Sequence, residues 1–307
     1  MSKKTASYLG LFFVVLVWGT APLTNKLYLA HYSPSFDVFF GSVASALALL
    51  ILCRKRLHLL TREYFRVALP LGFFYTAAHL SQRIGLQYTT PTVFSFLENL
   101  SCVVVPLLMW LFLQKRPALL QFVGSFVCLC SAAVISGLGA GGLSLGIGEI
   151  LCALAGILYG VNIAGTGAFA KKFDAALYIM VLLGFEGLLS LIISLVFHFT
   201  GVEAIVFSFD PLLLSSRLAI VLISSTLCWV IRTVSMKYVD ATAVAVIMPF
   251  CSVIAGVLSV LFGLDALTPN LIIGAALGLV AMLICAAGDY MADKKAAETN
   301  TQEKHHA

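Results

Sequence analysis

Charge is what this sequence has least of. Asp, Glu, Lys and Arg make up 11% of its 307 residues, against 61% for hydrophobic side chains. A water-soluble domain is about 25% charged and 45–50% apolar, so a chain this long has too few charges to cover its own surface in water. That excludes a soluble enzyme or binding module. Catalytic signatures are missing too, with no H-E-x-x-H, no P-loop and no glycine-rich phosphate cradle opening a helix after a strand. Long polar segments are equally scarce, so no nucleotide-hydrolysing domain is expected to drive the chain, and a gradient is the expected energy source. The net charge of +5 comes from basic residues in short clusters between apolar runs. That spacing argues against a nucleic-acid surface and for orientation in a bilayer. The eight cysteines lie in or at the ends of apolar segments without metal-ligand spacing. They read as small packing residues, and no cofactor or metal is expected.

What the chain has is apolar runs. Crossing about 30 Å of hydrocarbon takes about 20 residues of helix. The runs predict ten spans, at 7–29, 36–53, 66–86, 92–113, 118–138, 147–170, 176–199, 213–236, 241–263 and 270–290. Lys3 and Lys4 precede the first run as they would in a signal peptide. The run continues for about 20 residues without a small-residue cleavage site, so a retained span is expected. An even number of spans puts both termini on one side. Arg54, Lys55, Arg56, Arg62, Lys115, Arg116, Lys171, Lys172 and Lys237 then share that side with the termini. The opposite loops carry Glu203, Asp210 and Asp265, with Arg217 near a span end. By the positive-inside rule the termini are cytoplasmic, and a bacterial cytoplasmic membrane is the expected location.

The sequence also repeats itself. Residues 86–124 match residues 236–274 at a constant offset of 150, pairing Tyr88 with Tyr238, Thr92 with Thr242, Val103 with Val253, Leu108 with Leu258, Phe112 with Phe262 and Gly124 with Gly274. Spans 1 and 6 align more weakly, Trp18-Gly19 over Tyr159-Gly160, at an offset of 141. The expected organisation is a first five-helix repeat at 1–140, a second at 147–290, and a disordered cytoplasmic tail at 291–307. Five crossings per half is an odd number, so the halves enter the membrane from opposite sides, as many secondary transporters do.

The Trp18-Gly19 pair, GLQYTT from Gly85 to Thr90, YVDATAVAVIMP from Tyr238 to Pro249 and LIIGAALGLVAMLI from Leu271 to Ile284 resemble the drug/metabolite transporter superfamily, in particular its EamA-type ten-span members. The resemblance covers nearly the whole chain. It implies an all-α membrane protein, two inverted five-helix repeats around a central cavity, and a secondary carrier of amino acids, amines, metabolites or drug-like compounds. The chain departs from the family pattern at Asn99, where a proline is common, and at Lys115, where an acidic residue is common.

Charged and polar residues within the spans are the candidate site, because a polar face on a membrane helix must look into the bundle or into water. Glu98, beside Asn99 in span 4, either lines the cavity, binding a cation or carrying a proton, or pairs with Arg83. Glu186, mid-way along span 7, has no charged neighbour on its own helix. It is read either as functional or as a protonated group bonded to a backbone carbonyl. His79, Gln82 and Arg83 share one face of span 3, for substrate contact or for the outer interface. Trp18, Tyr75, Trp110 and Trp229 are belt, packing or ligand-platform residues, Trp18 standing out because Gly19 and Pro22 follow it in a gate-like segment. Asn162 is the corresponding polar point in the second half. Asn25 and Lys26 face the cavity mouth or the interface, and Arg232 is expected to snorkel to the inner interface. The expected partners are a small-molecule substrate, the lipid bilayer and, if transport is coupled, protons; monomer and homodimer both remain open. Two other readings stay open: an uncoupled exchanger, and a membrane-embedded enzyme acting on a lipid-linked substrate with Glu98 and His79 as acid and base.

Overall fold

The computed structural model describes residues 2–113, 119–135, 146–239, 243–244, 247–248, 250–281, 283–284, 287–288 and 291. Lys115, Arg116, Pro249, residues 137–145 of the glycine-rich connection and the tail beyond Met291 lie outside the described residues. The described chain forms ten helical segments and no strand. They are α1 (Lys3–Tyr28), α2 (Pro34–Cys53), α3 (Arg62–Tyr88), α4, α5 (Leu119–Ile135), α6 (Ile147–Phe169), α7 (Ala175–Phe199), α8 (Pro211–Ser235), α9 (Phe250–Leu261) and α10 (Pro269–Ala281). Helix α4 is built from Pro91–Leu97, a 3-10 turn at Glu98–Leu100, and Ser101–Leu113. Six helices are long and apolar enough to cross a membrane by length and composition. Helix α3 has the length, at 27 residues, but is far less apolar because it carries Arg62, Glu63 and Arg66 at one end and His79, Gln82 and Arg83 further on.

The outer faces are apolar. Phe12, Leu52, Phe73, Leu188 and Phe126 all point out of the bundle. So extended an apolar surface is tolerated in lipid and would aggregate in water. The inner faces are lined by small and hydroxyl side chains. Between α2 and α7, Ser42, Ser45, Ser190 and Ser194 are buried, and a Cβ added at Gly187 would come within 2.7 Å of Val43 Cγ2. In lipid, close approach of this kind replaces the hydrophobic drive that packs helices in water. Some buried hydroxyls return to their own helix, Ser95 donating to Pro91 O at 2.7 Å and Thr76 to Gly72 O at 2.8 Å.

The contacts repeat when the two halves are exchanged. Helix α1 crosses α9 at Gly19, where an added Cβ would lie 2.6 Å from Ile254 Cβ. Helix α6 crosses α4 at Gly160, where it would lie 2.7 Å from Val104 Cβ. Gly160 follows Gly19 by 141 positions and Ile254 follows Val104 by 150, the two offsets of the internal repeat. Likewise α3 packs on α6 as α8 packs on α1, while α2–α7 and α4–α9 are self-paired.

The connections sort to two ends. At one, Arg56 Nη1 pairs with Asp174 Oδ2 at 2.8 Å, Lys237 Nζ donates to Phe173 O at 2.7 Å, and Ser235 Oγ donates to Ser7 O at 3.2 Å. The basic residues of 54–62, 171–172 and 237 therefore share the end that holds the start of α1. At the other end, Tyr28 OH donates to Ser216 Oγ at 2.8 Å, Ser35 Oγ to Glu203 Oε1 at 2.6 Å, and Thr89 Oγ1 to Glu149 Oε1 at 2.7 Å.

Candidate functional site

A cavity of about 160 Å³ lies between the halves. Helix α3 lines it with Tyr75, His79, Gln82 and Arg83, and α8 lines it with Ser225, Trp229 and Arg232. Ser225, Trp229 and Arg232 each follow Tyr75, His79 and Gln82 by 150 positions, so the repeat brings equivalent positions to the cavity with different chemistry on each. The same holds for Glu98 and Met248, for Ser101 and Cys251, and, at the other offset, for Trp18 and Tyr159.

Glu98 reaches the cavity through a break in its helix. The 3-10 turn Glu98–Leu100 tightens α4 locally, and such mid-helix turns often mark hinges. The turn fits because α6 offers Gly156, where a Cβ would come within 2.8 Å of Leu97 O and 2.9 Å of Glu98 O. One turn on, Pro106 has no N–H for the carbonyl of Cys102, which accepts instead from Ser125 Oγ at 3.5 Å. The Glu98 carboxylate accepts from Gln82 Nε2, and Gln82 Oε1 in turn accepts from Tyr159 OH at 3.0 Å. Glu98 therefore bonds to Gln82, and the pairing with Arg83 that the sequence allowed is not made. Asn99 is buried against α9, its Oδ1 accepting from Ser252 Oγ at 3.2 Å.

Glu186 is completely buried but has partners on other helices. Its Oε1 lies 2.8 Å from His79 Nδ1 on α3, and its Oε2 accepts from Ser42 Oγ on α2 at 2.7 Å. His79 Nε2 accepts from Arg83 Nε at 3.3 Å, which leaves the ring proton on Nδ1, directed at Glu186. Arg83 Nη1 lies 3.6 Å from Asp37 Oδ2. Asp37 is buried and gripped by both prongs of Arg217, Nε–Oδ1 at 2.8 Å and Nη2–Oδ2 at 2.7 Å. Arg217 is thus part of a buried chain from Asn25 and Asp37 through Arg83 and His79 to Glu186 and Ser42.

Several sequence expectations change place. Glu186 and Asn162 do not line the cavity; Asn162 is fully buried with Nδ2 3.3 Å from Leu71 O, holding α6 to α3. Lys26 is not among the residues that line the cavity. It donates to the carbonyls of Leu86, Gln87 and Thr89 and so caps the negative end of α3. Arg232 does not snorkel. It is 2% exposed, with its guanidinium carbon 4.4 Å from the Trp229 ring centre and 5.9 Å from that of Trp18. The signal that finds it is the repeat itself, since adding the offset of 150 to Gln82 lands on Arg232. Trp110 is half exposed on the outer face, stacked edge-on against Phe122, away from the cavity.

The aromatic wall is held in place. Trp18 Nε1 donates to Ser224 O at 3.0 Å, inside a π-helical stretch of α8 at Leu222–Leu227. Segments of that kind widen the helix and are frequent at functional sites. Tyr75 meets Trp229 edge-on at 4.6 Å. The candidate acid and base, Glu98 and His79, are bonded to Gln82 and Glu186 and not to each other. Among the described residues no group of three or more His, Cys, Asp or Glu could hold a metal ion.

The sequence and the fold have known counterparts. Residues 5–137 match the EamA-like transporter family. Over that stretch the chain is similar to EamA-like transporters of the drug/metabolite superfamily. Over 152 residues the chain is 29% identical to the uncharacterized transporter YvbV of Bacillus subtilis, a match that spans 48% of this chain and about half (49%) of that protein. It is 25% identical over 290 residues to an uncharacterized transporter of Archaeoglobus fulgidus, covering 92% of this chain and 86% of the relative. A crystal structure with 16% sequence identity superposes with a TM-score of 0.68 over 93% of the chain, which establishes the fold. The chain is an integral, multi-pass membrane protein.

Proposed function

We propose that this chain is a secondary transporter of the EamA type that carries small polar or amphipathic metabolites by alternating access. The observation that supports the reading most is the central cavity, formed between two halves whose contacts repeat under exchange and lined by Glu98, Gln82, Arg83 and Arg232 inside an otherwise apolar bundle. Ionisable groups at membrane depth are costly, by about 2.5–3.5 kcal/mol for a charge at a helix centre on insertion scales, and mark substrate or ion pathways. Two inverted halves around one site provide two equivalent closures, one opening to each side. Glycine crossings at Gly19 and Gly160, the break at Glu98 and the π-helical stretch of α8 are where those closures bend.

The basic end, with the start of α1, faces the cytoplasm. Glu98 carries the coupling proton, because its carboxylate faces the cavity and exchanges its bond to Gln82 for a bond to solvent or substrate when the site opens. Glu186 is the positioning group that holds His79 and, through it, Arg83. No nucleotide drives the cycle, no cofactor takes part, and the protein is not an enzyme.

The test is reconstitution. Purified protein in liposomes loaded on one side with a panel of labelled amino acids, amines and organic acids is expected to show counterflow for at least one class, accelerated by a pH gradient. Failure of every class to exceed protein-free liposomes would sink the transport reading. Counterflow indifferent to the gradient would sink the coupling alone.

A further inference from the structure

Among the described residues Arg232 has no partner of opposite charge. None of its nitrogens makes a hydrogen bond to a described residue, and Nε and Nη2 are sealed from solvent. The other buried cations are answered, Arg217 by Asp37 in a two-pronged pair and Arg83 by Asp37 and His79. Glu186 is answered by His79 and Ser42. Among the described residues its guanidinium lies over the ring faces of Trp229 and, farther off, Trp18. A buried guanidinium without an anion is expensive, and ring faces return a small part of that cost. The side chain that bears it lines the cavity.

We propose that Arg232 is the anchor for a carboxylate on the transported molecule, so that the substrates are small organic monoanions, with or without an amino group. The inference rests on the transporter reading for the word substrate, but the binding itself does not need it. A guanidinium is a planar fork that matches a carboxylate in two parallel bonds, and a turn of the side chain that brings Nη2 into the cavity would offer it to the ligand. One uncompensated positive charge suits a single negative charge, and a dianion such as phosphate would leave a charge unmatched. Trp18 and Trp229, tilted at 53° with centres 5.3 Å apart, give an apolar wall for the body of the acid. An amino group, where present, would turn toward Glu98 on the facing half.

Unfolding of the detergent-purified protein is followed with benzoate, hexanoate and phenylalanine, each beside its uncharged-headgroup amide, and with inorganic phosphate. A ligand stabilises the state it binds, so binding reads as a raised unfolding temperature. At least one acid is expected to stabilise the protein at a concentration about tenfold or more below that of its amide and of phosphate, because an unanswered buried charge penalises the neutral analogue. Arg232→Gln is expected to abolish the difference, and Arg232→Lys, which keeps the charge but loses the fork, to weaken it. The inference is overturned if no acid stabilises the protein, if acid and amide act equally, or if Arg232→Gln binds acids as the wild type does. Should Arg232→Gln fail to fold, the acid and amide series on the wild-type protein decides alone. Binding without any flux in liposomes would sink the transport reading and leave this one standing. Flux confined to amines and neutral solutes would do the reverse.

Discussion

His79 and Glu186 lie 2.8 Å apart in the middle of the bundle, joining α3 to α7 across the helix interface. Each is what makes the other tolerable there: the carboxylate fixes the ring proton on Nδ1, and the ring answers a charge that burial would otherwise penalise. Arg83, bonded to the other ring nitrogen, is steered into the cavity by the same contact.

The two losses are therefore expected not to add. Glu186→Leu and His79→Phe should each lower the unfolding temperature, and the double variant should be less destabilised than the two effects added. The coupling should be about 0.5–3 kcal/mol in favour of the pair. Unfolding monitored by tryptophan fluorescence in one detergent measures all four proteins; additive losses would show that the pair contributes nothing.

Glu98 should separate coupling from carriage. Glu98→Gln keeps the size and can still bond to the Gln82 amide, but it cannot release a proton. Uptake driven by a pH gradient in proteoliposomes is expected to fall to the level without a gradient, while counterflow at equal pH persists. Unchanged acceleration by the gradient would assign the proton to another group.

Much of this was legible in the sequence and some was not. Apolar runs of about 20 residues define the ten segments, because only helices of that length satisfy their backbone in lipid. The offset of 150 carries through to the observed crossings, and the polar face of α3 does reach the cavity. Partnerships across helices were not legible. Spacing along a helix reports which face a residue occupies but not what the next helix presents there, so the His79 partner of Glu186 and the Arg217 partner of Asp37 stay hidden. Arg232 was misplaced for a related reason: position along a span gives depth, while rotation about the helix axis decides between lipid and cavity.

Gly156 tests the break in α4. A methyl group there would meet the backbone oxygens of Leu97 and Glu98, at 2.8 and 2.9 Å, and backbone cannot swing aside as a side chain can. Gly156→Ala is expected to destabilise by about 1–3 kcal/mol, the usual cost of overpacking, and to lower transport with it. Gly184→Ala, with nothing within 4 Å of the new methyl group, is the control and should leave both unchanged. Equal behaviour of the two variants in unfolding and flux assays would remove the argument that Gly156 shapes the turn.

Asp37 holds two arginines at once, so its loss should be the most damaging of the buried-charge changes. Arg217 grips both its oxygens, and Arg83 stands 3.6 Å away with Nη1 otherwise unbonded. Asp37→Leu leaves two buried cations facing each other with no anion between, and breaking a buried pair in this way costs about 3–5 kcal/mol. Adding Arg217→Met removes one of those cations and fills its space with an apolar chain, so the double variant should regain much of the lost stability. Transport should not return with it. Arg83, no longer drawn toward Asp37, keeps only His79 as a partner and is free to take a different position at the cavity wall. Unfolding temperature and counterflow measured on the same preparations separate the two effects. Recovery of stability and flux together would show that Asp37 serves packing alone and that the position of Arg83 is irrelevant to carriage.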